Sequence, residues 1–261
     1  MLYAFVAHWR EIGIEVDIGL EFEPTADLGF LHHNFTRLST SDIPPARDGM
    51  RVLNGKVLDI SKRIYSELML AASDDWDGPV IVKTNQNYFG TPERFSTRSR
   101  LLDVQRRLAR VQRRFARSNW KLARCLPDRV YPVLNTLSEV PNWVWARDDL
   151  LVERFMPERE GDLFAIRGWI FLGSASYGFK LFSTDPMVKV GSIVRHEYIE
   201  EVPPELEAAR QSMGFDYGKF DYVVHGDRAI LLDANKTPTF VGDPKSPRVV
   251  SLANAATEFL P

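Results

Sequence analysis

Leu2, Phe5, Val6 and Trp9 fall on one helical face, so the apolar spacing predicts that the chain opens on an amphipathic helix. Residues 13–18 then alternate apolar and polar like a strand, and residues 29–33 read as a second one. A doubly wound unit begins on a strand, so this order predicts a reduced, truncated α/β lobe. Either its sheet lacks an edge strand or the start lies upstream, and the apolar edge at residues 14–18 is then expected to self-associate. Residues 39–47 carry two prolines among hydroxyl and acidic side chains, which predicts a linker and a boundary near residue 50. Asp59 or Ser61 can cap a helix whose apolar face is Ile64, Leu68 and Leu70 or Ala71. After a turn at residues 75–78, the β-branched run Val80, Ile81, Val82 predicts a buried strand that delivers Lys83 at its end.

Farther on, residues 131–137 and 150–155 read as strands around the turn-rich 141–149, and residues 164–173 with 176–182 as an antiparallel pair joined through Gly173 and Ser174. Residues 205–213 read as a short helix. Residues 220–224 and 229–233 form a strong hairpin signal across His225, Gly226, Asp227 and Arg228. No internal repeat is present.

Composition changes this picture only at the margins. With 261 residues, 44% hydrophobic and 26% charged, the chain can bury a core without staples and is neither disordered, collagen-like nor a coiled coil. Cys125 is the single cysteine, so no disulfide forms within the chain, and a reducing, cytoplasmic setting is expected. No apolar run reaches the length of a membrane span, and Arg10 and Glu11 interrupt what would be the apolar centre of a secretion signal.

Charge is local. The net charge is -2, yet residues 98–124 hold nine arginines and Lys121 against Asp103 alone. Leu101, Leu102, Val104, Leu108, Val111, Phe115 and Leu122 recur among them at mostly helical intervals. Two readings stay open: a cationic face for phosphates, a polyanion or an acidic partner, or a solvated face that pairs with acids of the same chain. Phe115 and Trp120 make a poor stacking platform for bases.

The chain lacks a phosphate-binding G-x-x-x-x-G-K-[ST] loop, a G-x-G-x-x-G after a strand and a G-x-S-x-G elbow. Adjacent His32 and His33 would point to opposite faces of a strand, which suits joint zinc ligation poorly. The late hairpin is different. Asp221 lies on one strand and Asp233 on its partner, with Asn235 on the side of Asp233. Three hard oxygen donors in apolar surroundings suit Mg²⁺. The alternative is an ordinary hairpin in which Asp233 and Asn235 cap the turn through Thr237 and Pro238.

Spaced landmarks run along the chain: Lys62 in Ile60-Ser61-Lys62-Arg63, Lys83 in Val80-Ile81-Val82-Lys83, and the run Leu151-Val152-Glu153-Arg154-Phe155-Met156-Pro157. They continue with Arg167, Lys180, Gly218-Lys219-Phe220-Asp221 and Asp233-Ala234-Asn235-Lys236-Thr237-Pro238. In this order they resemble the ATP-grasp superfamily. The resemblance implies that Lys62 and Lys83 contact ATP phosphates and that Glu153, with the backbone of Arg154, Phe155 and Met156, receives adenine at a hinge. It implies Glu160 at the ribose, Lys180 and Arg167 toward phosphate, Lys219 facing the transferring phosphoryl group, and Mg²⁺ on Asp221, Asp233 and Asn235. Two departures stand out: the phosphate-covering loop is Asn85-Gln86-Asn87-Tyr88-Phe89-Gly90 where the family is glycine-rich, and Asp233 stands where many relatives have Glu.

The expected fold is α+β, a two-lobe ATP-grasp fold preceded by the reduced N-terminal lobe, with ATP and Mg²⁺ between the lobes. Its parts would be residues 1–50, a small lobe at 51–150 with an Arg-rich helical insertion, and a large lobe at 151–261 with the metal site. The implied activity is a ligase that activates a small-molecule carboxylate as an acyl phosphate for attack by an amine or other nucleophile. A phosphotransferase and a non-catalytic nucleotide-binding relative with a basic partner-binding helix are the alternatives. His32, His33, Asn34 and Arg195 are further candidates for the substrate cleft.

Overall fold

The computed structural model describes residues 1–95, 100–240 and 242–261. The chain divides into two compact units, Met1–Ile60 with Pro157–Pro261, and Ser61–Met156. The three parts expected from the sequence are thus grouped differently. The reason is the core of the first unit, where Phe5, Val6 and Trp9 pack with Ile170, Leu172, Tyr217, Val249, Leu252 and Ala253. The opening helix therefore shares a core with the carboxyl-terminal strands.

That helix, α1 (Leu2–Glu11), buries the face its spacing predicts. Strands β1 (Leu28–Phe30) and β2 (Arg51–Leu53) form a short parallel pair. Residues 13–18, expected as a strand, are not one. The Ile14 N–H bonds back to the Trp9 carbonyl at 2.8 Å and the Arg10 guanidinium donates to the Val16 carbonyl at 2.8 Å, so the helix exit captures this backbone. Ile14 and Val16 pack partly buried against the core, and the apolar strand edge expected there does not form. His32 and His33 likewise lie beyond the end of β1, so strand alternation does not orient them. Thr40–Asp42 is a single helical turn in the expected linker.

The second unit begins at Ser61. The predicted helix over residues 59–71 is replaced by one short turn, Lys62–Ile64, and strand β3 (Met69–Leu70). Tertiary bonds override local propensity here: the Leu68 carbonyl accepts from Arg154 N–H at 2.9 Å and the Ser66 hydroxyl donates to Glu153 at 2.7 Å. Strand β4 (Val80–Thr84) follows as predicted. After helix α2 (Thr91–Phe95) comes α3 (Arg100–Ala123), the basic helix, interrupted at Asn119. Arg98 and its neighbours 96–99 fall outside the described residues. Strand β5 shrinks to Val133–Leu134, α4 is Asn142–Trp145 and β6 is Leu150–Arg154. The sheet order is β3-β6-β4-β5, all antiparallel. Val80, Val82, Leu150 and Val152 pack on Leu134, Leu137, Val140 and Val144. By strand alternation Ile81, Lys83, Leu151 and Glu153 use the other face.

The first unit resumes at Pro157 with β7 (Glu158–Glu160), β8 (Leu163–Leu172), β9 (Ala175–Ser183) and β10 (Ile193–Ile199). Helix α5 (Pro204–Ser212), the hairpin β11 (Tyr217–His225) with β12 (Arg228–Asn235), and α6 (Pro247–Ala255) complete it. The order is β10-β9-β8-β11-β12, antiparallel throughout, with β7 on β8. Asn54 fastens β2 to β11: its side chain accepts from the N–H groups of Asp216 and Tyr217 and donates to the Tyr217 carbonyl. Among the described residues, no helix is long and apolar enough to cross a membrane.

Candidate functional site

In the second unit, the β4–β6 register sets Lys83 opposite Leu151 and Ile81 opposite Glu153, so Lys83 and Glu153 meet diagonally on one face. Their ion pair is 2.6 Å long and both side chains are buried. Glu153, expected at adenine, is here the counter-ion of Lys83 and the acceptor of the Ser66 hydroxyl. Leaving either buried charge without its partner would be costly. Lys62 is buried on its short turn. At the hinge run, the Arg154 N–H is engaged by the Leu68 carbonyl and the Phe155 N–H by the Pro79 carbonyl, and Arg154 stacks 5.5 Å over Trp76. The unit boundary falls at Met156 and Pro157, inside this predicted hinge. In the loop that departs from the glycine-rich pattern, Tyr88 and Phe89 are both left-handed, at φ 43° and 58°.

In the first unit, Lys219 pairs across strands with Asn235 and Asp221 with Asp233. Directly opposed residues share a face, so these two rungs, separated by the Phe220 and Ala234 rung, gather the three predicted metal ligands and Lys219 on one face. A bulge at Leu232 keeps Asp233 in this register, a feature the sequence reading did not include. Gly168 lies beside Asp221 on β8, and a Cβ there would fall 2.2 Å from the Phe179 ring, which covers that rung. Lys219 Nζ lies 2.8 Å from Asp221 Oδ1 and 5.6 Å from the centre of the same ring.

Burial pushes the Asp221 carboxyl above its ordinary range, and the charge of Asp233 adds to this against the pull of Lys219. Burial also acts to lower the Lys219 ammonium, but Asp221 outweighs it and holds Lys219 above its ordinary value. A partly buried carboxylate pair of this kind suits a hard cation, and the donors are all oxygen. Among the described residues, no group of three or more His, Cys, Asp or Glu forms a metal cluster. The donors predicted for Mg²⁺ thus comprise two carboxylates and the Asn235 amide. That amide oxygen also accepts from the Thr237 N–H at 2.8 Å, the turn-capping role weighed as the alternative. The Thr237 hydroxyl in turn donates to Asn34.

Arg167 does not join this group. It stands opposite Tyr222 and Lys180, one residue along from the Gly168 to Asp221 pairing, so alternation sends it to the other face of the sheet. There it donates to both oxygens of Glu158, at 2.8 to 3.1 Å, and Lys180 lies 2.8 Å from the same carboxylate. The Val224 N–H adds a bond of 2.8 Å. Burial works to raise the Glu158 carboxyl, but Arg167, Lys180 and Val224 outweigh it and hold it below the usual carboxylate range. Glu160, expected at the ribose, instead bridges Lys180 and Arg195, and Arg195 also meets Glu197. Glu158 is the residue sequence reasoning missed. The available signal was an acid beside β8 and β9, the strands that carry Arg167 and Lys180.

No family model matches the sequence, and no curated protein matches it. Several solved structures resemble the fold. The chain is similar to a RimK domain ATP-grasp protein from Sphaerobacter thermophilus at 12% identity and a TM-score of 0.49, covering 99% of this chain and 94% of that one. It is similar to D-alanine–D-alanine ligase from Bacillus anthracis at 15% identity and a TM-score of 0.33, covering 74% of this chain and 56% of that one. A third structure is the Chryseobacterium gregarium RiPP-associated ATP-grasp ligase in complex with ADP and a leader and core peptide, at 16% identity and a TM-score of 0.34. It is matched over 51% of this chain and 45% of that one, so the chain spans about half the length of each of these two ligases.

Proposed function

We propose that this chain is an ATP-grasp enzyme that uses ATP and Mg²⁺ to activate a carboxylate for attack by an amine or another nucleophile. The observation that carries the reading is the pair of rungs Lys219 with Asn235 and Asp221 with Asp233, which sets two carboxylates, an amide oxygen and an ammonium on one face. Asp221, Asp233 and Asn235 would hold Mg²⁺, which supplies positive charge to phosphate oxygens when bound. Lys219, kept charged by Asp221, offsets negative charge developing during phosphoryl transfer. Lys62 and Lys83 are the second unit's cations for nucleotide phosphates. Transfer of the terminal phosphoryl group to the substrate carboxylate gives ADP and an acyl phosphate, from which the nucleophile displaces phosphate. The side chains bind and orient, and none is required as a nucleophile. Arg167 is assigned to the support of the sheet, because Glu158 neutralises it on the opposite face.

Calorimetry of ATP with Mg²⁺ on the natural chain, Asp233→Ala and Lys83→Ala, each folded by circular dichroism, tests the reading. Metal-dependent binding that both variants lose is the expected result, and a screen of acid and amine pairs for ADP release follows from it. A folded natural chain that binds no ATP would remove the reading. A second reading, nucleotide binding without turnover, is favoured by one observation: Arg167 and Lys180, expected at phosphate, are paired with Glu158. ATP binding without ADP release in any acid and amine pair would favour it.

A further inference from the structure

Helix α3 turns large apolar side chains to solvent. Val104, Leu108, Val111 and Phe115 are 61%, 65%, 68% and 54% exposed. Their spacing of four, three and four residues lines them up in one narrow stripe, the seam pattern of a two-helix contact. This is not a core face that failed to pack. Ala116, on another flank of the helix, is buried, so the part before the Asn119 interruption already packs by a different side, and Gln112 donates to the Ala123 carbonyl beyond that interruption at 2.7 Å. One border of the stripe carries exposed Arg107 and Arg114; the other carries Gln105 and Gln112. No acid occurs between Val104 and Arg124.

We infer that this stripe is the docking surface for an acidic amphipathic helix of a partner protein. The partner's apolar seam meets Val104, Leu108, Val111 and Phe115, and its flanking carboxylates face Arg107 and Arg114. The argument for this occupant is charge. In paired helices the residues beside the seam choose the partner, and here that side is cationic with no acid to answer it. A second copy of the same helix would set arginine or glutamine against these arginines, and no carboxylate. Single-stranded RNA would find the charge but only Phe115 to stack on, since the rest of the stripe is aliphatic. A helix lying in an anionic membrane needs a broad apolar face, whereas this one is a seam on a helix whose neighbouring flank is packed. The surface is independent of the nucleotide reading.

The test uses the full chain and a labelled synthetic peptide of about three heptads, with Leu at both seam positions and Glu beside them. Anisotropy titrations are run at low and high salt. Binding is expected to weaken about tenfold or more when Leu108→Gln and Val111→Gln are combined, at either salt. Combining Arg107→Gln with Arg114→Gln is expected to weaken it about tenfold at low salt and far less at high salt. All four side chains are exposed, so the variants should melt like the natural chain. A peptide of the same composition with the seam order scrambled keeps the proposal falsifiable without any variant: equal binding would overturn it. So would no binding by the folded chain, tighter binding to polyuridylate or phosphatidylserine vesicles than to the ordered peptide, or a dimer in sedimentation that the Leu108 and Val111 changes abolish.

Discussion

Glu153 and Glu158 stand five residues apart on either side of the unit boundary, and both are buried carboxylates. Glu153 meets one ammonium, Lys83, and one hydroxyl, Ser66. Glu158 meets a guanidinium through both oxygens, the Lys180 ammonium and a backbone N–H, so from β7 it ties together β8, β9 and β11. The second arrangement fills the acceptor sites of its carboxylate and spreads over four strands, whereas the first is a pair of two flexible arms. Buried charge therefore does two jobs in this chain. It fastens the sheet of the first unit, and it pairs one lysine with one glutamate in the second.

The largest effect expected from this contrast is on stability. Glu158→Ala leaves two cations and an N–H without their acceptor and should cost about 3–5 kcal/mol in urea unfolding. Glu153→Ala strands a single lysine and should cost about 2 kcal/mol. Equal losses, measured on the same transition, would erase the distinction. Glu158→Gln should fall between, since an amide keeps one acceptor.

The next effect is on pH dependence. The folded Glu158 carboxyl sits below its ordinary value of 4.5, so it binds its proton less readily in the folded than in the unfolded state. Its contribution is complete above pH 4.5 and is lost as the pH falls below that value through the folded pKa. Each unit of depression corresponds to about 1.4 kcal/mol. Unfolding free energies measured from pH 6 downward should drop more steeply for the natural chain than for Glu158→Gln, and the two curves should converge in acid. Parallel curves would mean that another carboxylate governs the acid limb.

A smaller effect separates fastening from function. Replacing both Lys83 and Glu153 by Met removes a buried pair together and should change stability by no more than about 1 kcal/mol, although ATP binding should vanish. Replacing Glu158 and Arg167 together should remain costly, because Lys180 and the Val224 N–H still lose their acceptor. Denaturant melts and calorimetry on both double variants provide the comparison.

These residues also show what the sequence could and could not say. Strand β4 and the hairpin of β11 and β12 were legible because β-branched or apolar runs and turn residues act locally, and strand parity put Asn235 on the side of Asp233, but Asp221 meets that side only through the bulge at Leu232. Parity should equally have warned that Arg167 and Lys219 part company, but that inference needs the register of β8 against β11, which only the folded sheet supplies. The helix predicted at residues 59–71 failed because long-range bonds from Arg154 and Glu153 claimed Leu68 and Ser66. The strand predicted at residues 13–18 failed because Arg10 bonded Val16. Glu158 was missed because its partners lie on strands that become its neighbours only after folding.

The smallest predicted effect tests whether the Glu158 cluster extends outward. Arg195 reaches Glu160 at 2.7 Å and Glu197 at 3.0 Å, and Glu160 in turn bridges to Lys180. On a diagram this looks like one continuous network. Physically the outer part differs, because the Arg195, Glu160 and Glu197 side chains are each close to half exposed and water screens their charges. Arg195 also lies 3.7 Å over the Phe182 ring, a contact that depends on packing more than on charge. Arg195→Gln should therefore cost less than about 1 kcal/mol, and the loss should shrink as salt rises. A double-mutant cycle with Glu158→Gln should give near-additive losses if the inner carboxylate is saturated by Arg167, Lys180 and Val224 alone. A coupling well above about 0.5 kcal/mol would join the two layers into one cooperative network and move the boundary of the buried cluster out to β10.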